Sequence, residues 1–267
     1  MSDWLFNLPV PWMGVVILVA INAFSALLYL AITALAVGER GRAFKAVSPG
    51  MLPPLAIIFA LLVGFLAAQV WSDYDRANTA VNREASALRG VILLAAAFPG
   101  EPDAHFRDLV RRHIQDAVTQ EWPAMARHNA TLTLAPPRLS EALRFALSLS
   151  PHGDGQVAAQ REIVAALMTA LDARRQRIVL SASSINWVKW TVLLVQAGLT
   201  LLVVGLVHSD NRAANRIIMT VFATGVAVAV VLIASHSRPF SGDISVRPTV
   251  LLQVMPEATG SPLNAPP

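Results

Sequence analysis

Few side chains in this sequence are typed and spaced for chemistry. His152-Gly153-Asp154-Gly155 brings a histidine and a carboxylate together, but it follows Pro151, and Pro, Gly and Asp in such order make turns. The stretch reads as a link between two helices. His105 and His113 fall two turns apart on one predicted helix. Helical metal pairs favour i, i+4, and no third ligand follows at a workable spacing, so no metal site is expected. Cysteine is absent, which removes thiolate catalysis, disulfides and sulfur ligation. No G-x-S-x-G, H-E-x-x-H or phosphate-binding loop occurs. The expectation is therefore no catalytic residue, no cofactor and no enzyme.

What remains is the chemistry of a path across a membrane. Ile57, Leu61 and Phe65 recur at i, i+4, i+8 in an apolar run and so share one helix face. Around a symmetric ring such a stripe makes stacked apolar collars, which gate by shedding water. A stripe that faces lipid has the same spacing, and the pattern alone does not choose between them. The notable polar groups within the predicted spans are Asn22, Gln69, Gln196 and Lys189 near one end. Pumps place carboxylates or histidines inside the membrane, and no span interior has one here. Downstream on the same predicted helix, Arg76, Arg83 and Arg89 either line a vestibule that attracts anions or pair with Asp73, Asp75 and Glu84 on a solvated face.

The composition supplies the elements to hold these groups. Of 267 residues, 55% are hydrophobic and 14% charged, against roughly 25% charged in an average soluble domain. A chain this apolar is expected in a lipid bilayer. Its net charge is only +4, without a basic run or aromatic-basic module, so nucleic acid is not an expected partner.

Four apolar runs are predicted to span, and the fold class is all-α. Residues 12–37 form the first span. They are read as a retained helix, because no Lys or Arg precedes residue 40 and the run is too long for a secretory signal. A basic loop with Arg40, Arg42 and Lys45 follows, and Pro49, Pro53 and Pro54 mark the next helix start. The second span ends at Trp71 and continues unbroken into a polar helix over 72–98, stopped by Pro99-Gly100. Helices are predicted over 103–128, shortened or kinked by Pro123, then 138–149 and 156–182. The third and fourth spans cover 187–207 and 217–234, and no internal repeat is evident. The expected organisation is two spans in 1–71, a helical-bundle extramembrane domain in 72–186, two spans in 187–236, and a polar, Pro-rich tail in 237–267, disordered at its end.

Four spans put both termini and the helical domain on one side. Near the span ends that side carries Arg76, Arg83, Arg89, Arg174, Arg175, Arg177, Lys189, Arg238 and Arg247, against Arg40, Arg42, Lys45, Arg212 and Arg216 opposite. The excess leans towards a cytoplasmic domain. The Ala- and Arg-rich composition suggests a bacterial inner membrane.

Four segments, in order, give the chain a resemblance. They are Leu61-Leu62-Val63-Gly64-Phe65 running into Trp71-Ser72-Asp73-Tyr74-Asp75-Arg76-Ala77; Val81-Asn82-Arg83-Glu84-Ala85-Ser86-Ala87-Leu88 with Pro99; Glu121-Trp122-Pro123; and Arg238-Pro239-Phe240-Ser241-Gly242-Asp243. Across nearly its whole length the sequence resembles the bestrophin-like membrane proteins, grouped as a domain of unknown function and distantly related to the pentameric bestrophin chloride channels. The resemblance implies a homo-oligomer, pentameric by analogy, that conducts anions passively. It places the pore neck at Ile57, Leu61 and Phe65, with Leu61 where an aromatic often sits. Bestrophins follow their fourth span with Asn-Pro-Phe-Gly and an acidic run, which in animal members helps bind calcium. Here Pro239, Phe240, Gly242 and Asp243 keep the shape, but Ser241 is inserted and Ile244-Ser245-Val246 replaces the acidic run. A hard cation needs several oxygen ligands, so calcium gating is not expected, and the motif reads instead as a turn that docks Phe240 on the bundle. No role is implied for Glu121-Trp122-Pro123 beyond a packed indole. The rival expectation is a membrane sensor or scaffold without flux, its output carried by a partner protein; a monomer or dimer in detergent would favour it.

Overall fold

Apolar helices that cannot be solvated by water and polar helices with one apolar face need different surroundings, and the chain provides two. The computed structural model describes residues 3–6, 8–36, 44, 47, 49–132, 136–183 and 185–257. The described residues are all-α, without a strand. They run as α1 (Asp3–Phe6), α2 (Val10–Leu35), a 3₁₀ turn (Pro49–Met51), α3 (Leu52–Ala95), α4 (Glu101–Asp116), a π-helical turn (Ala117–Glu121), α5 (Trp122–Ala126), α6 (Pro137–Ser148), α7 (Asp154–Ser181), α8 (Trp187–Val207), α9 (Arg212–His236) and α10 (Thr249–Gln253). Arg40, Arg42 and Lys45 of the expected basic loop and the end of the tail lie outside the described residues.

The chain divides into two units. The first takes in residues 1–72, 184–238 and 242–244; the second 73–183, 239–241 and 245–267. Helix α3 contributes to both.

In the first unit, α2, the start of α3, α8 and α9 are long and apolar enough to cross a bilayer. Their starts are set by local signals. Asn186 caps α8 by accepting from the Val188 amide, and Asn211 caps α9 by accepting from Ala213 and Ala214. The span core joins Met13 and Ile17 of α2 to Leu193 and Ala197 of α8 and Val226, Val230 and Ile233 of α9. Close approach depends on Gly205. A Cβ there would collide with Ile32 Cδ1 and lie 3.1 Å from Met219 Sδ. The fourth span is longer than the sequence suggested, starting at Arg212 rather than Ile217. Its added turn is held by Asn215, buried and donating to Gly205 O at 3.1 Å. Polar span residues use the same device: Asn22 donates to Leu18 O, and Gln196 reaches Leu55 O at 3.2 Å.

In the second unit, α3, α4, α6 and α7 enclose a core that includes Leu88, Val91, Phe106, Leu109, Ile114, Ile163 and Leu167. Gly90 faces the side chain of Ala166 across the α3–α7 contact. Gly100 and Gly153 have φ of 91° and 118° at the starts of α4 and α7, a region glycine enters without penalty. The tail folds further than the sequence suggested. Val246 and Leu251 are buried in this core, and α10 is a helical turn within it.

Pro123 acts one turn earlier than a simple kink would. Proline cannot supply the amide that should bond back to Thr119, and its ring crowds the preceding turn. The helix widens there instead, and the Trp122 amide bonds to Ala117 O, five residues back.

Candidate functional site

The stripe Ile57, Leu61 and Phe65 stands clear of its own protomer. These side chains are 59%, 55% and 72% exposed. The apolar window of this span is 6% buried, against 39% in α8 and in α9. Gly64 on the same span has open space where a Cβ would sit. At the end of the span Gln69 accepts a hydrogen bond from the Lys189 ammonium at 2.7 Å, and Trp71 stacks on His236 at 5.9 Å. The exposed indoles Trp12, Trp71 and Trp187 lie at the first turn of α2, the last of the second span and the first of α8. That is the placement of an interfacial belt.

Arg76, Arg83 and Arg89 all lie on the exposed face of α3 in the second unit. At about 100° per residue, Arg76 and Arg83 fall within ~20° of one another and Arg89 about a third of a turn away. None of the three is ion-paired to another described residue. The expectation that Glu84 shares their solvated face is incorrect. Glu84 is fully buried. It falls beside Ala85 and Leu88 in the apolar register, so the helix turns it inward.

Glu84 is the centre of a charged cluster that sequence reasoning missed. Arg177 of α7, itself fully buried, donates to Glu84 from Nε at 2.8 Å and Nη2 at 3.0 Å. Nη2 also donates to Glu121 at 2.9 Å, while Arg174 Nε reaches the other Glu121 oxygen at 2.7 Å. His113 of α4 is buried with Nε2 2.9 Å from Glu84. The Arg177 guanidinium lies 4.6 Å from the centre of the Trp122 ring, within cation–π range. Two carboxylates thus meet two guanidiniums. Burial alone would push the Glu84 carboxyl up, but the Arg177 charge and the His113 bond outweigh it and hold the group at about 2. Burial opposes ionisation of Glu121 too, and the charges of Arg177 and Arg174 carry it below its ordinary value. The π turn brings Glu121 and Trp122 to this cluster. The signal was available in Glu84 and Arg177, charged residues on the apolar faces of their helices.

Trp122 carries a second contact set within the same unit. Its indole donates to Val246 O at 3.1 Å and meets Phe240 edge-on at 5.9 Å. Val246 N closes the turn on Pro239 O at 2.8 Å, and Ser241 donates to Ala126 O. Gly242, at φ 82°, supplies the left-handed residue of this turn. Within the first unit, Asp243 accepts from the Val10 amide at 2.9 Å, satisfying a free N–H at the start of α2. Its carboxylate is therefore used as a cap. Arg238 has partners of its own. His105 packs edge-on against Phe145, and His113 is committed to Glu84, so the two do not converge. Among the described residues no group of three or more His, Asp or Glu is arranged to hold a metal.

A family profile described as the bestrophin-like domain matches residues 19–251. The chain belongs to the bestrophin-like family. Solved structures share the fold at low identity. A bacterial bestrophin homologue from Klebsiella pneumoniae, carrying a point mutation, superposes with a TM-score of 0.69 at 12% identity, over 91% of this chain and 97% of that one. The same organism's homologue solved by zinc phasing gives 0.67 at 11% identity, over 90% and 95%. A structure described as a membrane protein variant gives 0.69 at 12%, over 91% and 96%. No curated protein matches the sequence. With its four apolar helices, this bestrophin-like chain is an integral membrane protein.

Proposed function

We propose that this bestrophin-like protein is a passive anion channel. Several copies, five by family analogy, would surround a central pore whose apolar neck is formed by Ile57, Leu61 and Phe65 of α3. One observation carries the reading: the second span is left almost uncovered by its own protomer, with this stripe outermost. A helix lining an axis between copies has that character, because its partners belong to other chains. Arg76, Arg83 and Arg89, without an ion pair among the described residues, would raise the local anion concentration in a vestibule. In the post-span motif, Arg238, Pro239, Phe240 and Gly242 form a rigid turn and Asp243 a helix cap, and no calcium site is proposed there.

The helical unit is placed in the cytoplasm and the spans in a bacterial inner membrane. Arg174 and Arg177 are neutralised by carboxylates, so this orientation rests on Arg76, Arg83, Arg89, Arg175, Lys189, Arg238 and Arg247. The test is chloride efflux from liposomes holding the purified protein, paired with its mass in detergent. Efflux above that of empty liposomes, from a ring of several copies, is the expected result. A monomer or dimer without flux would overturn it in favour of a sensor or scaffold.

A further inference from the structure

The outer surface of the helical unit has a groove between α3 and α7, of about 510 Å³. Asp75, Arg76 and Thr79 form one wall; Arg175, Gln176, Val179 and Leu180 form the other. Its charges do not cancel. Arg76 and Arg175 have no ion-pair partner among the described residues, and Asp75 is the single carboxylate in the wall. The nearby Asp172 is engaged by the Gln176 amide at 2.9 Å. Some other guanidiniums of this unit are answered by carboxylates, Arg107 by Asp103, Arg111 and Arg112 by Asp108, Arg174 and Arg177 by Glu121; what sets Arg76 and Arg175 apart from the remaining unpaired ones is that they share one groove. The Thr79 hydroxyl adds a neutral donor, and Val179 and Leu180 add apolar lining.

We infer that this groove is a binding station for a small anion, held between Arg76 of α3 and Arg175 of α7. The inference rests on the anion-channel reading for its physiological meaning, and adds Arg175 to it as a residue that selects and concentrates the anion. Binding itself requires no flux. The shared chemistry is a singly charged anion, either free in solution or the phosphate of an anionic lipid headgroup. Two guanidiniums on opposing helices hold it better than either alone, because each contributes its own attraction.

Chloride NMR of the full-length protein in neutral detergent tests the site, since bound chloride broadens the free signal. Arg175→Gln and Arg76→Gln are each expected to weaken binding roughly two- to five-fold, as removal of one partly exposed charge does. Arg175→Lys is expected to restore most of it, and Arg161→Gln, elsewhere on α7, to leave it unchanged. Added phosphatidylglycerol that abolishes the broadening where phosphatidylcholine does not would identify a headgroup as the resident anion; retained broadening would identify a free one. Broadening in Arg175→Gln equal to wild type would overturn the proposal. Liposome efflux is read separately, so a conducting protein with unaltered Arg175→Gln binding loses the groove alone. Intact binding without flux loses the channel alone.

Discussion

The two parts of α3 use one helical period in opposite senses. Up to Trp71 Ile57, Leu61 and Phe65 point away from the protomer, while Leu66 and Val70 pack into the span core. Beyond it Val81, Leu88 and Val91 point inward, and Glu84 points inward with them. Exposed apolar surface is stable where the surroundings are lipid or another chain, and buried charge is stable only when neutralised in place. The span part therefore leaves apolar surface for neighbours to cover, whereas the polar part neutralises its buried charge within its own unit.

That contrast can be broken first at the buried cluster. Arg177→Met strands Glu84 and Glu121 without their shared guanidinium and should destabilise the helical unit by about 3–5 kcal/mol, read by thermal or denaturant unfolding. Gly205→Ala tests close packing in the spans. Its Cβ runs into Ile32 and Met219, and a loss of about 1–3 kcal/mol is expected in detergent melts. Acid gives a graded version of the first experiment. Glu84 titrates at about 2 in the folded protein against an ordinary 4.5, so the unfolded chain takes up the proton first. The stabilisation is complete above 4.5 and is lost as pH falls from there towards 2. Glu84→Gln should show a shallower decline over that window, with the remainder carried by Glu121. Phe65→Ala should change protomer stability least, within about 0.5 kcal/mol, because the ring touches little of its own chain.

Much of the architecture was legible because the bilayer imposes a strong pattern. The third span was read residue for residue, and the unbroken passage from the second span into a polar helix follows from the absence of Gly or Pro after Gly64 until Gly90. Ala77, Val81, Ala85, Leu88 and Ala95, spaced to share one helix face, are buried. The charged cluster was not legible, because composition rules send Glu and Arg outward and its pairing joins positions 84, 113, 121, 174 and 177 across four elements. Residues 245–253 were given to a polar tail because Pro248 interrupts a short apolar stretch among polar neighbours; Val246 and Leu251 are the residues it buries. The π turn has no marker beyond Pro123. For the proposed neck, spacing supplied three residues of one face, and the structure adds that this face is exposed among the described residues.

The most direct test of the account is chloride efflux from liposomes containing wild-type protein or Phe65→Ala at equal density. A smaller collar wets more readily, so the variant should leak faster than wild type, and both should exceed empty liposomes. Equal efflux in the two proteins would contradict a neck on the second span.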